Sequence, residues 1–252
     1  MPREAFTEEA LILKLGQFKE ADCWIRFFTP THGLLTGFAF GGLKSRKRFS
    51  GCLDPLSRVL LTAASDRYGR YLTLCEGSLI NRYPSLHLNL SRWGMAVNCI
   101  KFLEASHSGA ENANEIFAYT CKTLHLLDTQ EALPPYVPML YRAGLTSKYG
   151  YLPNLSQCSR CRQHIRSGDE LFFFIAEGKT LCRRCCPNGA AGGQRMRSDL
   201  ALFLLRLFTA EPEEWRSLHF PPQSTQMILH AIDRYVQAHI GLIWLQGRFQ
   251  ST

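Results

Sequence analysis

The sequence predicts an α+β chain of several parts: an N-terminal β-barrel, an α-helical domain and an inserted four-cysteine metal-binding segment. Three observations carry this. Short β-prone segments separated by turn residues fill the first third. The apolar period then changes to three or four residues. Five of the ten cysteines crowd between Cys158 and Cys186.

The expected strands are Ala10–Leu15, Asp22–Thr29, Leu34–Phe40, Leu56–Ala64 and Arg70–Leu79. Gly16, the run Pro30-Thr31-His32-Gly33, Gly41-Gly42 and the stretch Asp66–Gly69 punctuate them, and the chemistry of Pro30 to Gly33 is that of a hairpin turn. Five strands in a segment this short suggest a small closed or nearly closed barrel. From Leu86 to Ala105, Trp93, Ala96, Val97, Ile100 and Leu103 recur at helical spacing. Ile116, Thr120, Leu124 and Leu127 do the same within Asn112–Leu127. A third helix is expected with Pro135 in its first turn, ending near Gly150. Gly189 to Gly193 reads as a linker. Leu200–Phe208 is apolar on all sides, as in a buried helix. Ser224 is a candidate N-cap for a last helix whose face holds Ile228, Ile232, Tyr235, Val236 and Ile240, with Gly241 as its stop. The expected domains are residues 1–84, then 85–154 together with 190–252, with 155–189 as the insertion.

Composition bounds the function. The chain has 252 residues, 46% hydrophobic and 20% charged, which is globular rather than disordered. Its apolar runs are too short to span a bilayer. Met1 to Ala10 carries Glu4, Glu8 and Glu9 and no apolar core of a leader, so a soluble, cytosolic protein is expected. Lysine and arginine number 29 against 21 acids, a net +8. The excess is concentrated in residues 1–84, with 12 basic and 8 acidic side chains, and in residues 155–197, with 8 and 3. Such a balance favours a polyanionic partner.

Cys158-Ser-Arg-Cys161 and Cys182-Arg-Arg-Cys185 form two C-x2-C knuckles. Two thiolates three positions apart on a tight turn take adjacent vertices of a tetrahedral ion, and a second knuckle fills the other two. One structural Zn²⁺ is expected, held by Cys158, Cys161, Cys182 and Cys185. With four cysteines no coordination position stays open for catalysis. Cys186 adjoins Cys185 and His164 lies nearby, so either is an alternative ligand. Arg160, Arg162, Arg183 and Arg184 are placed to offset the negative charge of four thiolates on one Zn²⁺. Glu170–Ala176 and Lys179-Thr180 flank Glu177-Gly178 in a hairpin pattern, completing a zinc ribbon. The scattered Cys23, Cys52, Cys75, Cys99 and Cys121 read as thiols rather than disulfides.

Lys44, Arg46, Lys47 and Arg48 make the densest positive run, on a loop after Gly41-Gly42 that is expected to be flexible. Phe38, Phe40, Phe49, Trp24, Phe27, Phe28, Tyr68 and Tyr71 share the same third of the chain. Small barrels that bind single strands combine a cationic groove with aromatic stacking platforms; equally, such aromatics fill barrels and such loops are merely solvated. Gly37, Gly42, Lys44 and Ser45 nearly spell a phosphate-binding loop, but Leu43 breaks the required G-K-[ST]. No catalytic motif of a hydrolase, metalloprotease or zinc deaminase occurs, so no enzyme is expected.

Taken in order, these parts resemble the RecO family of bacterial recombination mediators. The resemblance rests on Glu9-Ala-Leu-Ile-Leu13, Phe18-Lys-Glu-Ala-Asp22, Thr31-His-Gly-Leu-Leu35, Gly42-Leu-Lys-Ser-Arg46, Phe49-Ser-Gly51 and Leu53-Asp-Pro-Leu56. To these it adds Leu145 to Pro153 leading into the first knuckle, and Tyr235-Val-Gln-Ala-His239-Ile-Gly241. It implies an OB-fold barrel, a helical domain and an inserted zinc finger. It also implies binding of single- and double-stranded DNA, annealing of complementary strands and help in loading RecA on SSB-covered DNA. The implied partners are RecR and the acidic, apolar C-terminal tail of SSB, in a cytoplasmic, nucleoid-associated setting. Leu242 to Phe249 is less basic than the family's usual ending. The rival reading is a zinc-ribbon RNA-binding or transcription accessory protein.

Overall fold

Residues 5–106, 110–130, 132–187 and 191–252 are described by a computed structural model, in which the five N-terminal strands close on themselves. Met1 to Glu4 and Gly189-Ala190 of the expected linker lie outside the described residues. Two compact units are formed, Met1–Glu131 and Ala132–Thr252.

In the first unit the strands are β1 (Ala5–Gln17), β2 (Cys23–Thr29), β3 (Gly33–Ala39), β4 (Arg58–Ser65) and β5 (Leu72–Asn81). They close in the order β1-β2-β3-β5-β4, with β3 and β5 parallel, which is the OB arrangement. β1 is twice as long as its apolar run suggested. Its first half pairs with β4, from Ala5 opposite Ala64 to Leu11 opposite Arg58, and its second half pairs with β2. A register shift between Ile12 and Lys14 bends it from one partner to the other. The polar residues Thr7 to Glu9 hid that first half. β4 starts later than expected because Leu56 sits at φ 66, outside the strand region. Leu56 N–H instead donates to the Ile12 carbonyl at 2.7 Å, beside the bend.

Alternate residues of each strand fill the barrel: Ile12, Ile25, Phe27, Val59, Leu61 and Leu74 are all fully buried. Gly37 is needed there, since a Cβ would lie 2.5 Å from the Leu74 side chain. Leu74→Ala therefore empties the tightest part of this core. It should lower stability by about 2–5 kcal/mol, read as a reduced denaturant midpoint.

The helix expected over Leu86–Ala105 is two helices, α1 (Pro84–Leu88) and α2 (Leu90–Ser106). Asn89 breaks it: its backbone is extended, and its Oδ1 accepts from Arg92 N–H at 3.1 Å as the N-cap of α2. α3 (Ala113–Thr129) stacks Phe117 on Phe28 of β2, with ring centroids 6.4 Å apart. Arg92 ties α2 to the end of α3 through the carbonyls of Leu127 at 3.1 Å and Asp128 at 2.9 Å. These contacts attach α2 and α3 to the barrel. The division after residue 131 thus cuts the stretch 85–154 that the sequence grouped together.

The second unit begins with α4 (Val137–Lys148), where Pro138 rather than Pro135 occupies the first turn. α4 packs on α5 (Ser198–Thr209) and α6 (Thr225–Ile240). α5 is one-sided rather than buried all round, with Leu202 38% exposed. Gly241 ends α6 in the left-handed conformation at φ 73, as expected. Strands β6 (Glu170–Phe174) and β7 (Lys179–Cys182) form the anticipated hairpin. An unanticipated third strand, β8 (Gly193–Arg197), pairs with the other edge of β6. A terminal hairpin, β9 (Leu242–Leu245) and β10 (Arg248–Ser251), was also not anticipated. Its turn places Gln246 and Gly247 both at positive φ, the backbone twist that short hairpins favour. The hairpin covers Arg142, whose guanidinium lies 4.8 Å from the Phe249 ring centroid and 3.0 Å from Asp233.

Candidate metal centre and nucleic-acid interface

The first knuckle is a closed turn. Cys158 N–H donates to the Gln163 carbonyl, and Arg162 N–H returns to the Cys158 carbonyl, both at 2.9 Å. Arg162 takes φ 60 to close it. The second knuckle starts where β7 ends. Cys182 accepts through its carbonyl from the N–H groups of Cys185 and Cys186, each at 3.0 Å. Ser159 N–H donates to the Thr180 carbonyl at 2.8 Å and joins the two turns.

This brings Cys158, Cys161, Cys182 and Cys185 together, with all four sulfurs within 4.8 Å of one another. Tetrahedral thiolates at metal–sulfur bonds of about 2.3 Å stand about 3.8 Å apart. Cys161 Sγ and Cys182 Sγ are 3.8 Å apart, so the cluster can hold one metal ion with little movement. Burial pushes the Cys158 thiol up, but N–H donation from Cys161, Cys182 and Arg160 outweighs it and brings it down to about 6. Cys185 is pushed up to about 12, by burial and by the neighbouring cysteine sulfurs. One thiolate forms readily here and the last does not without a cation to share its charge.

Neither alternative ligand joins the cluster. Cys186 is 6% exposed and packs with Phe172 and Phe174 in a small apolar core. His164 is held in a bridge opposite Gln157. The arginines also have other work. Arg183 pairs with Glu170 at 3.0 Å, Arg184 bonds Gln163, and Arg160 donates to the Cys185 carbonyl at 3.4 Å. Arg195 pairs with Glu170 and Arg197 with Asp199. These contacts hold the arginines in place but leave most of the positive excess standing, since Glu170 serves both Arg183 and Arg195, and Gln163 and the Cys185 carbonyl carry no charge.

The turn between β6 and β7 is clamped to α6. His239 Nε2 bonds the Ile175 carbonyl at 3.0 Å, and its ring lies 4.1 Å from that of Tyr235. Gly178, at φ 61, leaves only 2.9 Å between the place of a Cβ and Tyr235 Oη. Gly178→Ala should cost about 1–3 kcal/mol from the left-handed backbone alone, with the clash added. A melting temperature several degrees below wild type, with bound metal retained, is the expected reading.

The loop after β3 is pinned rather than flexible. Asp22 accepts from Gly41 N–H at 2.7 Å, Gly42 is buried, and Phe49, Cys52 and Leu53 enter the barrel core. The Arg48 carbonyl accepts from Gly77 N–H at 2.8 Å. Of the four predicted cations, Lys44 pairs with exposed Glu20, and Arg48 donates to the Phe40 carbonyl and lies 5.1 Å from the Phe49 ring centroid. Arg46 and Lys47 are exposed. The structure therefore presents the four cations on a fixed support beside the end of β3. Among the sequence's aromatic candidates, Phe27, Phe28 and Phe49 are buried, while Phe40, Tyr68 and Tyr71 are exposed.

The family model described as Recombination protein O N terminal matches residues 1–83, and that described as Recombination protein O C terminal matches residues 87–248. A DNA repair protein RecO of Oleidesulfovibrio alaskensis is 39% identical over 246 residues, covering 97% of this chain and 98% of that protein. Proteins of the same name from Solidesulfovibrio magneticus and Maridesulfovibrio salexigens are 36% and 34% identical, over 97% and 94% of this chain and 98% and 96% of their own lengths.

Proposed function

This chain belongs to the RecO family of DNA repair proteins, and from that premise we propose that it is a recombination mediator. It binds single- and double-stranded DNA, anneals complementary strands and assists RecA loading on SSB-covered DNA. The barrel, residues 1–84, is its DNA-binding module. The observation that carries the reading is the run Lys44, Arg46, Lys47 and Arg48 on a pinned loop beside an OB barrel. Cations on a rigid support meet phosphates without ordering a loop first, so less affinity is lost to entropy.

Zn²⁺ is the metal that four thiolates at tetrahedral spacing fit best. Cys158, Cys161, Cys182 and Cys185 hold it, and its role is to fold residues 158–186 rather than to catalyse. RecR and the SSB tail are the protein partners of this reading, and the cytoplasmic nucleoid is its setting. Among the described residues no helix is long and apolar enough to cross a membrane.

The testing experiment is strand annealing with purified protein, on complementary oligonucleotides bare or coated with SSB. Accelerated annealing in both cases is expected, with the rate falling as salt rises. Binding of RNA with no effect on DNA annealing would move the chain to the rival class of RNA-binding zinc-ribbon proteins.

A further inference from the structure

Outside the metal cluster, the first unit carries an unusual surface feature. Phe18, from the turn after β1, meets Phe38 of β3 at 5.8 Å and Phe40, just past β3, at 6.3 Å. Tyr71, just before β5, meets Phe38 at 5.6 Å and Phe40 at 6.2 Å. The four rings thus form one cluster joined through Phe38 and Phe40, whose centroids are 6.4 Å apart, yet Phe18 is 43% exposed, Phe40 41% and Tyr71 38%. Ordinary core formation does not leave such a cluster at the surface.

The turns that present the rings are rigid. Asp22 fixes Gly41 beside Phe40, and Asp66 accepts from the N–H groups of Arg70 and Tyr71. Asp22 is thereby spent on backbone, whereas Asp66 also pairs through Oδ2 with the Arg70 guanidinium at 3.4 Å, so Arg70 must share its charge between Asp66 and a phosphate. On the neighbouring strand Trp24 lies opposite Phe38 and flat over Gly16, where a Cβ would come within 2.3 Å of the indole.

Cations border the rings. Arg48 donates to the Phe40 carbonyl. Arg70, next to Tyr71, lies 4.7 Å from the centroid of Tyr68, which is 70% exposed. Aromatic faces rimmed by guanidinium groups match a flexible strand whose bases are free to stack and whose phosphates are negative. In a duplex the base faces are already occupied by their neighbours, so the rings have nothing to stack on.

We propose that Phe18, Phe38, Phe40 and Tyr71 form a base-stacking subsite for single-stranded nucleic acid, with Arg48 and Arg70 on the adjoining phosphates. This deepens the DNA-binding reading and rests on it. The rings select single strands, while the Lys44–Arg48 cations bind phosphates of any strand.

The test uses the full chain and three probes: oligo(dT) of about 16 nucleotides, an abasic oligodeoxynucleotide of equal length, and a duplex. The variant Phe40→Leu with Tyr71→Leu keeps apolar volume and removes both exposed rings. Its oligo(dT) affinity should fall by about 5- to 150-fold per ring. The salt slope and the affinities for the abasic strand and the duplex should stay at wild-type values. Phe40→Trp should retain oligo(dT) binding. If wild type binds oligo(dT) and the double variant binds it equally well, the stacking subsite is wrong while DNA binding stands; the patch then suits an apolar protein partner instead. Equal losses on the abasic strand would also overturn it, since the rings would then serve only to hold the arginines. Failure of wild type to bind any of the three probes would sink the DNA reading itself.

Discussion

Cys182→Ser is expected to yield a protein without stoichiometric zinc, in which residues 158–186 are open to protease. Cys182 holds two roles. It ends β7, and its N–H donates to Cys158 Sγ at 3.3 Å, so its sulfur is one vertex of the cluster and its backbone supports another. The segment has little else to fold around. Its own apolar core is Phe172, Phe174 and Cys186, with Leu181 against it. Structural zinc supplies on the order of 10 kcal/mol in small peptides. The loss here should be smaller, because β6 is also held by β8 and its following turn is clamped to α6. Metal analysis should give about one zinc per wild-type chain and much less in the variant. Wild-type protein with reduced thiols and no metal would refute the assignment. Cys186→Ser should keep its zinc, since that thiol faces the apolar core.

Replacing Lys44, Arg46, Lys47 and Arg48 together by alanine should remove a large part of DNA affinity and flatten its salt dependence. Each lost phosphate contact lowers the log–log slope by roughly 0.7 on single strands, so four lower it by at most about 2.8. The full value is an upper limit because Lys44 already has Glu20 as a partner and must exchange it for phosphate. Stability should change little, since exposed ion pairs contribute about 0–1 kcal/mol. The companion variant replaces Arg183 and Arg184 by alanine. Arg183 is engaged with Glu170 and Arg184 with Gln163, so this pair should alter the slope less. A quadruple variant with the wild-type slope, beside a zinc-segment variant that loses it, would transfer the binding face to the cysteine segment. The aromatic subsite separates from both, because losing rings changes affinity for bases and leaves the counterion slope alone.

Local chemistry made much of this legible. The alternation of apolar residues within the first 84 positions specifies strands, because only a period of two buries one face of each. The C-x2-C pairs specify a metal site, because two such turns place four sulfurs at one point with few other requirements. Gly241 specifies a helix stop, because few other residues take φ 73 without strain. Family resemblance added the OB arrangement and the expectation of a DNA partner.

Most of what remained hidden depended on residues distant in sequence, the local cap at Asn89 excepted. The first half of β1 is polar and was invisible until β4 paired with it; its hydrogen bonds belong to the sheet, not to its own composition. Asn89 split a continuous apolar period, since a side-chain cap outweighs the pattern there. β8 follows glycines that read as a linker and became a strand because β6 had a free edge. The choice between Cys185 and Cys186 is one residue of spacing in the sequence, and packing decided it by turning Cys186 toward Phe172 and Phe174. Phe27, Phe40 and Phe49 are equally aromatic in the sequence. Barrel closure buries the first and the pinned loop buries the third, and only then does Phe40 stand out at the surface. Sequence by itself determined the core of each barrel strand, the β6–β7 hairpin, most of the helices and which metal chemistry is available, because these depend on short-range spacing. Tertiary structure alone decided which cations and rings face solvent together, because that depends on the order in which five strands close and on which side chains fill the space inside.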